Sequence, residues 1–122
     1  MAQILIVDDS PTEMHLLREM LEKNGHQVIT AENGALGVAT CKKHKPDLVL
    51  MDVVMPELNG FQATRQLTKD PETQHIPIIL VTTKDQATDR LWGMKQGAKD
   101  YLTKPVNEKA LMQTIRTLLN QA

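Results

Sequence analysis

Aromatic side chains are nearly missing from this chain: Phe61, Trp92 and Tyr101 are the whole set. A surface that stacks nucleobases needs more than that, so a single-stranded nucleic-acid module is not expected. The single cysteine, Cys41, has no partner for an internal disulfide. With His15, His26, His44 and His75 at unrelated spacings, it supplies no structural zinc set either. Neither sign of charge dominates: 14 Lys and Arg stand against 15 Asp and Glu, a net charge of −1. That excludes an overall basic nucleic-acid binder and an acidic solvating tail. No stretch approaches the roughly 18–20 apolar residues of a membrane span. The N-terminus has no basic region leading to a small-residue cleavage site. The expectation is a reducing, cytoplasmic setting with neither a membrane nor a nucleic acid as partner.

What is present is an alternation. Apolar runs Ile4–Val7, Val28–Ile29, Leu48–Met51, Ile78–Val81 and Tyr101–Leu102 are separated by amphipathic stretches. The first, third and fourth runs are continuous rather than alternating, as in strands buried on both faces of a parallel sheet. Ser10-Pro11-Thr12-Glu13 is a capping box with proline at the first helical position. Met14, Leu17 and Leu21 follow on one face, and Asn24-Gly25 ends that helix. A second helix is expected over about 33–44 and a third from Asn59-Gly60 to just before Asp70-Pro71. A fourth carries Ala87, Leu91, Met94 and Ala98 as its apolar stripe. The fifth carries Leu111, Ile115, Leu118 and Leu119 and reaches nearly to Ala122. Five βα units in 122 residues give one α/β domain spanning 1–122, with right-handed crossovers and helices on both faces. The expected strand order is 2-1-3-4-5, the flavodoxin-like doubly wound arrangement.

In such sheets ligands bind off the carboxyl ends of the strands. Strand 1 closes in Asp8-Asp9, strand 3 in Asp52, strand 4 in Thr82-Thr83, and strand 5 in Thr103-Lys104-Pro105. Taken singly, each acid reads as a surface salt-bridge former. Together, three carboxylates at one sheet edge repel unless a cation sits among them. Oxygen donors of this kind suit Mg²⁺, which takes one or two carboxylates plus a phosphate. Lys104 adds a point charge for a phosphate oxygen and Thr82 a hydroxyl donor. Acids, cation, lysine and hydroxyl describe a phosphoryl site.

These residues closely resemble the receiver domains of two-component response regulators, the CheY-like fold. The resemblance rests on Asp8-Asp9, on LVLMDVVMPELNG with Asp52, Met55-Pro56 and Gly60, on Thr82 in ILVTTK and on Lys104-Pro105. The stretches GFQATRQLTKDPET, VTTKDQATDRLWG and DYLTKPV look most like stand-alone regulators of twitching motility. The resemblance implies that Asp52 accepts a phosphoryl group from a chemotaxis-type sensor histidine kinase. It implies Mg²⁺ held by Asp8, Asp9, Asp52 and the backbone carbonyl of Val54, with Lys104 on the phosphoryl group. It further implies that Thr82 and Tyr101 switch the surface of helix 4, strand 5 and helix 5, where an output protein binds. The Lys104-Pro105 bond resembles one that is cis in the family. The implied protein is not a turnover enzyme; it is a monomer that assists its own phosphorylation and dephosphorylation, with no output domain.

Other readings have counter-signals. A phosphoryl sink in a relay and a phospho-independent scaffold use the same fold. An aspartyl-phosphate hydrolase typically needs a second Asp two residues after the nucleophile, where this chain has Val54. A flavin or dinucleotide site needs a glycine-rich loop after strand 1, where this chain has Asp-Asp-Ser-Pro. Trp92 reads as a half-buried boundary residue, with a partner anchor as the competing reading. Without the resemblance, Tyr101 is a core-edge tyrosine. Lys84, Arg90, Lys95, Lys99, Lys104 and Lys109 read as a solvated basic face. Cys41 reads as a packed thiol, most of the methionines as core fillers and the histidines as surface groups.

Overall fold

The computed structural model describes residues 1–120. In chain order the elements are β1 (Gln3–Val7), α1 (Pro11–Lys23), β2 (Gln27–Ala31), α2 (Gly34–His44), β3 (Leu48–Met51), α3 (Gly60–Lys69), β4 (Ile78–Thr82), α4 (Ala87–Lys95), β5 (Asp100–Thr103) and α5 (Glu108–Leu119). All strand pairings are parallel and the order is β2-β1-β3-β4-β5. This is the expected doubly wound sheet. The last residues of the expected fifth helix, 121–122, lie outside the described part.

Two-residue periodicity along the central strands divides the core. Leu5, Val7, Val49, Met51, Ile78 and Leu80 face one side, with Cys41 of α2 and Ala63 and Leu67 of α3. Ile4, Ile6, Leu48, Leu50, Ile79 and Val81 face the other, with Leu17 and Leu21 of α1 and Leu111, Met112 and Ile115 of α5. Strands covered on both faces have no polar side to show, which is why β1, β3 and β4 read as unbroken apolar runs.

The caps fall where the side chains dictate. Ser10, Asn33, Asn59 and Asn107 each accept a hydrogen bond from the third helical N–H. Gly25 takes a left-handed φ of +86° after α1, a turn that a side chain would resist.

Helix α4 departs from expectation. Ala87, Leu91 and Met94 point outward instead of forming a core stripe, and Leu91 is 66% and Trp92 52% exposed. Trp92 is about half covered, as a boundary residue would be, and lies on the more exposed side of that boundary. Ala98 is buried, but it lies beyond the end of the helix. The reason is steric. Gly93 is the only buried residue of α4, and a β-carbon there would meet Leu80 Cδ1 at 2.6 Å and Tyr101 Cδ2 at 3.1 Å. The helix lies down on its glycine, so the residues flanking that line turn to solvent. Most methionines are buried or partly buried, as expected, with Met1 and Met94 exposed; one smaller expectation shifts, since His26 is half-buried, its Nδ1 accepting from the Ala2 N–H at 3.2 Å.

Gly60, the first residue of α3, sits so close to the end of β3 that a β-carbon would overlap the Asp52 carbonyl oxygen and approach Val53 Cα at 2.8 Å. Both obstacles are backbone and cannot swing away. Gly60→Ala is expected to lower unfolding free energy by about 1–3 kcal/mol, the range for overpacking a filled site. Urea titration followed by circular dichroism measures it; a midpoint equal to wild type contradicts the close approach.

Candidate functional site

Strand register gathers the polar residues at one edge. Val7 pairs with Met51 and with Ala31, so the residues that follow, Asp8 and Asp52, emerge side by side from β1 and β3. The Asp52 N–H donates to the Val7 carbonyl at 2.9 Å, extending the ladder past the strands. On the other flank Thr82 pairs with Thr103, and the Lys104 N–H donates to the Thr82 carbonyl at 2.8 Å. The Lys104-Pro105 peptide bond is cis.

Lys104 reaches back across the edge. Its Nζ lies 2.8 Å from Asp8 Oδ2 and 3.3 Å from Asp52 Oδ2. The remaining oxygens are held by backbone donors: Ser10 N–H to Asp8 Oδ1 at 2.9 Å and Val53 N–H to Asp52 Oδ1 at 2.7 Å. Asp8 and Asp52 are buried while Asp9 is exposed. One carboxylate oxygen from each of Asp8, Asp9 and Asp52 falls within 4.8 Å of the others. Beside them a groove of about 520 Å³ opens between α1 and α2, lined in part by Asp9, His15, Arg18 and Glu32.

The electrostatics follow from the packing. Burial, and then the neighbouring Asp8 charge, push the Asp52 carboxyl above its ordinary value, more than Lys104 and the Val53 N–H pull it down. Burial alone would lower Lys104, but its hydrogen bond to Asp8 and the charges of Asp52 and Asp8 prevail, so its ammonium is held above the ordinary range. Two carboxylates sharing one lysine remain short of positive charge. Three converging oxygens, one residue open to solvent, suit a hard divalent cation that keeps several waters. Val54, also expected to serve the cation, is exposed in the loop after β3.

Thr82 is fully buried at the same edge. Its Oγ accepts from the Lys84 N–H at 3.3 Å, and the Lys84 carbonyl accepts from the Tyr101 hydroxyl at 2.7 Å. Tyr101 is buried, its ring facing Gly93 of α4. Burial first, then Asp89, Asp52 and Asp85, raise its hydroxyl to about 12, so it remains a donor. Two backbone groups of Lys84 thus join the hydroxyls of Thr82 and Tyr101. A sequence reading misses this link, since Lys84 presents itself there only as a mobile cation and backbone groups leave no mark on residue type.

Cys41 is a packed thiol, fully buried and raised by that burial to about 11. Lys84 and Arg90 are engaged by Asp89 and Asp100, so part of the expected solvated basic face is tied to neighbouring acids. No helix among the described residues is long and apolar enough to cross a membrane.

Comparison with known proteins agrees with this geometry. The family model described as response regulator receiver domain matches residues 4–116. Protein PilH of Pseudomonas aeruginosa is 69% identical over 119 residues, covering 98% of each chain. Among solved structures, the chemotaxis protein CheY4 of Vibrio cholerae superposes with a TM-score of 0.90 at 30% identity, covering 98% of this chain and 99% of the other. The receiver domain of the sensor histidine kinase PA1611 of P. aeruginosa, solved with a magnesium ion coordinated in its active-site cleft, superposes at 0.91 with 28% identity, covering 98% of each. This chain belongs to the response regulator receiver domain family.

Proposed function

We propose that the chain is a phosphorylation-controlled switch of the PilH kind, a receiver occupying residues 1–122 and acting by protein contact in motility signalling. The observation that carries the reading is the ammonium of Lys104 between the buried carboxylates of Asp8 and Asp52, with Asp9 in reach. Asp52 is the phospho-acceptor. Its carboxylate oxygen attacks phosphorus on the phosphohistidine of a sensor kinase; the O–P bond forms as the N–P bond breaks, and the imidazole leaves with the electron pair. Asp8, Asp9, Asp52 and the Val54 carbonyl hold Mg²⁺, which neutralises charge on the transferred group when bound. Lys104 exchanges a carboxylate contact for a phosphoryl oxygen.

The product adds roughly −1.5 to −2 charge at the edge. Thr82, buried at the same edge, is the hydroxyl that answers it, and its link through Lys84 to Tyr101 carries the response to the face formed by α4, β5 and α5. There Leu91, Trp92 and Met94 stand exposed, an apolar group with the tryptophan anchor typical of contact hot spots. That exposure favours an output partner over a pure phosphoryl sink, and supports the anchor reading of Trp92. A cytoplasmic location fits a kinase donor of this type.

Incubation with acetyl phosphate or phosphoramidate, followed by intact-mass measurement, tests the acceptor. One phosphoryl group is expected with Mg²⁺, none after chelation and none in Asp52→Asn. Labelling that survives the substitution refutes the assignment.

The charge balance also sets stability. Folding raises the Asp52 pKa, so the folded state disfavours its charged form; that penalty is present above the folded value and vanishes below the ordinary 3.8. In cation-free buffer at pH 7, Asp52→Asn is expected to gain about 1 kcal/mol, near 4 °C in melting temperature. The gain should fade as pH falls toward 3.8. Calorimetry across pH checks it; a variant less stable than wild type at pH 7 contradicts the sign.

Neither Val54 nor Lys84 offers a carboxamide or carboxylate to align a water on the acyl phosphate. Hydrolysis without a phosphatase is therefore expected not to be fast, and Val54→Asn to speed it several-fold by orienting the attacking water, an effect of positioning. Mass spectra taken over time after donor removal decide; rapid loss in wild type overturns it.

A further inference from the structure

Helix α4 is held in an unusual way. Of its nine residues only Gly93 is buried, against four of the ten in α3 and three of the twelve in α5. An element with so little apolar burial belongs to the low end of local stability unless polar contacts hold it. One side chain supplies them at mid-helix. Arg90 Nη1 donates to the Tyr101 carbonyl at 2.8 Å, and its Nη2 lies 3.3 Å from Asp100 Oδ1. Asp100 is itself tied to α5, since Thr114 Oγ donates to its Oδ2 at 3.4 Å. The guanidinium therefore grips the backbone of Tyr101 itself, and α4, β5 and α5 meet at one carboxylate. The C-terminal end of α4 is held separately: Thr68 of α3 donates to the Gln96 carbonyl at 2.8 Å. Among the described residues, the N-terminal half has no comparable tie besides Arg90 and the Lys84–Asp89 pair at 3.7 Å.

Directly over the Tyr101 ring lies Gly93, so the ring and the helix cannot move independently. We propose that Arg90 is a latch: it sets the resting position of α4 over Tyr101, and α4 pivots on its Thr68-anchored end when the latch opens. Arg90 is a positioning residue in this scheme and touches none of the reacting atoms. The forked guanidinium offers two nitrogens at a fixed separation, one for the carbonyl and one for the carboxylate, a fit that an ammonium reproduces only in part. The link to phosphorylation rests on the proposed function; the latch itself does not.

The test uses Arg90→Ala and Arg90→Lys in the full chain, unphosphorylated, with amide hydrogen exchange as readout. Exchange over Ala87–Lys95 is expected to rise about tenfold in Arg90→Ala, the scale of losing a charge-assisted hydrogen bond. Exchange in α1 and α2 should not change, and Arg90→Lys should recover only part of the protection. Trp92 fluorescence of unphosphorylated Arg90→Ala should shift toward the value wild type takes after treatment with acetyl phosphate and Mg²⁺, and Arg90→Lys should shift less. Unchanged α4 exchange in Arg90→Ala, or a rise spread over all helices, overturns the latch. If wild type takes up no phosphoryl group, the proposed function fails while the exchange result still decides the latch. If labelling succeeds and the Trp92 signal of the variant stays at the unlabelled wild-type value, the coupling fails alone.

Discussion

An ammonium shared between two buried carboxylates is the interaction on which the site depends. Lys104 is the only cation within reach of both Asp8 and Asp52 among the described residues. Removing either acid from water is expensive, and one lysine cannot repay two. The fold accepts that deficit at the ends of its central strands, where β1, β3 and β4 are buried along almost their whole length. The result is an edge short of positive charge, with Asp9 left open to solvent. A divalent cation and a phosphoryl group are the species such an edge is suited to receive.

The same edge explains the strict local demands around it. Backbone N–H groups of Ser10 and Val53 hold the carboxylate oxygens that Lys104 does not reach, so each acid has a defined orientation. Gly60 lets α3 start against the Asp52 carbonyl. These contacts are made by backbone, which cannot yield, and they pre-organise Asp52 before any ligand arrives.

From the edge, the structure runs outward through few contacts. Thr82, the Lys84 backbone and Tyr101 form one line of hydrogen bonds, and Tyr101 meets α4 at a glycine. A helix that buries one residue and exposes a tryptophan is poorly paid for by its own packing. On the proposed reading that is its use: an element with small differences in energy between positions can be moved by one added charge.

Much of this was legible in residue order. Unbroken apolar runs at β1, β3 and β4 and caps at Ser10, Asn33 and Asn59 required only local pattern and backbone geometry. The acids, Thr82 and Lys104 could be assigned to one edge because a parallel sheet aligns the carboxyl ends of its strands. The orientation of α4 was not legible. Ala87, Leu91 and Met94 carry helical periodicity, and period alone does not say which face meets the sheet; the close approach of Gly93 to Leu80 and Tyr101 decided it. Nor could order reveal the Lys84 backbone link or the grip of Arg90 on Tyr101, since a carbonyl or an N–H belongs to every residue and gains its role only from what folds against it. Side-chain pattern and strand topology set the fold and the membership of the site. Packing distances between distant segments set how the site is joined to the surface.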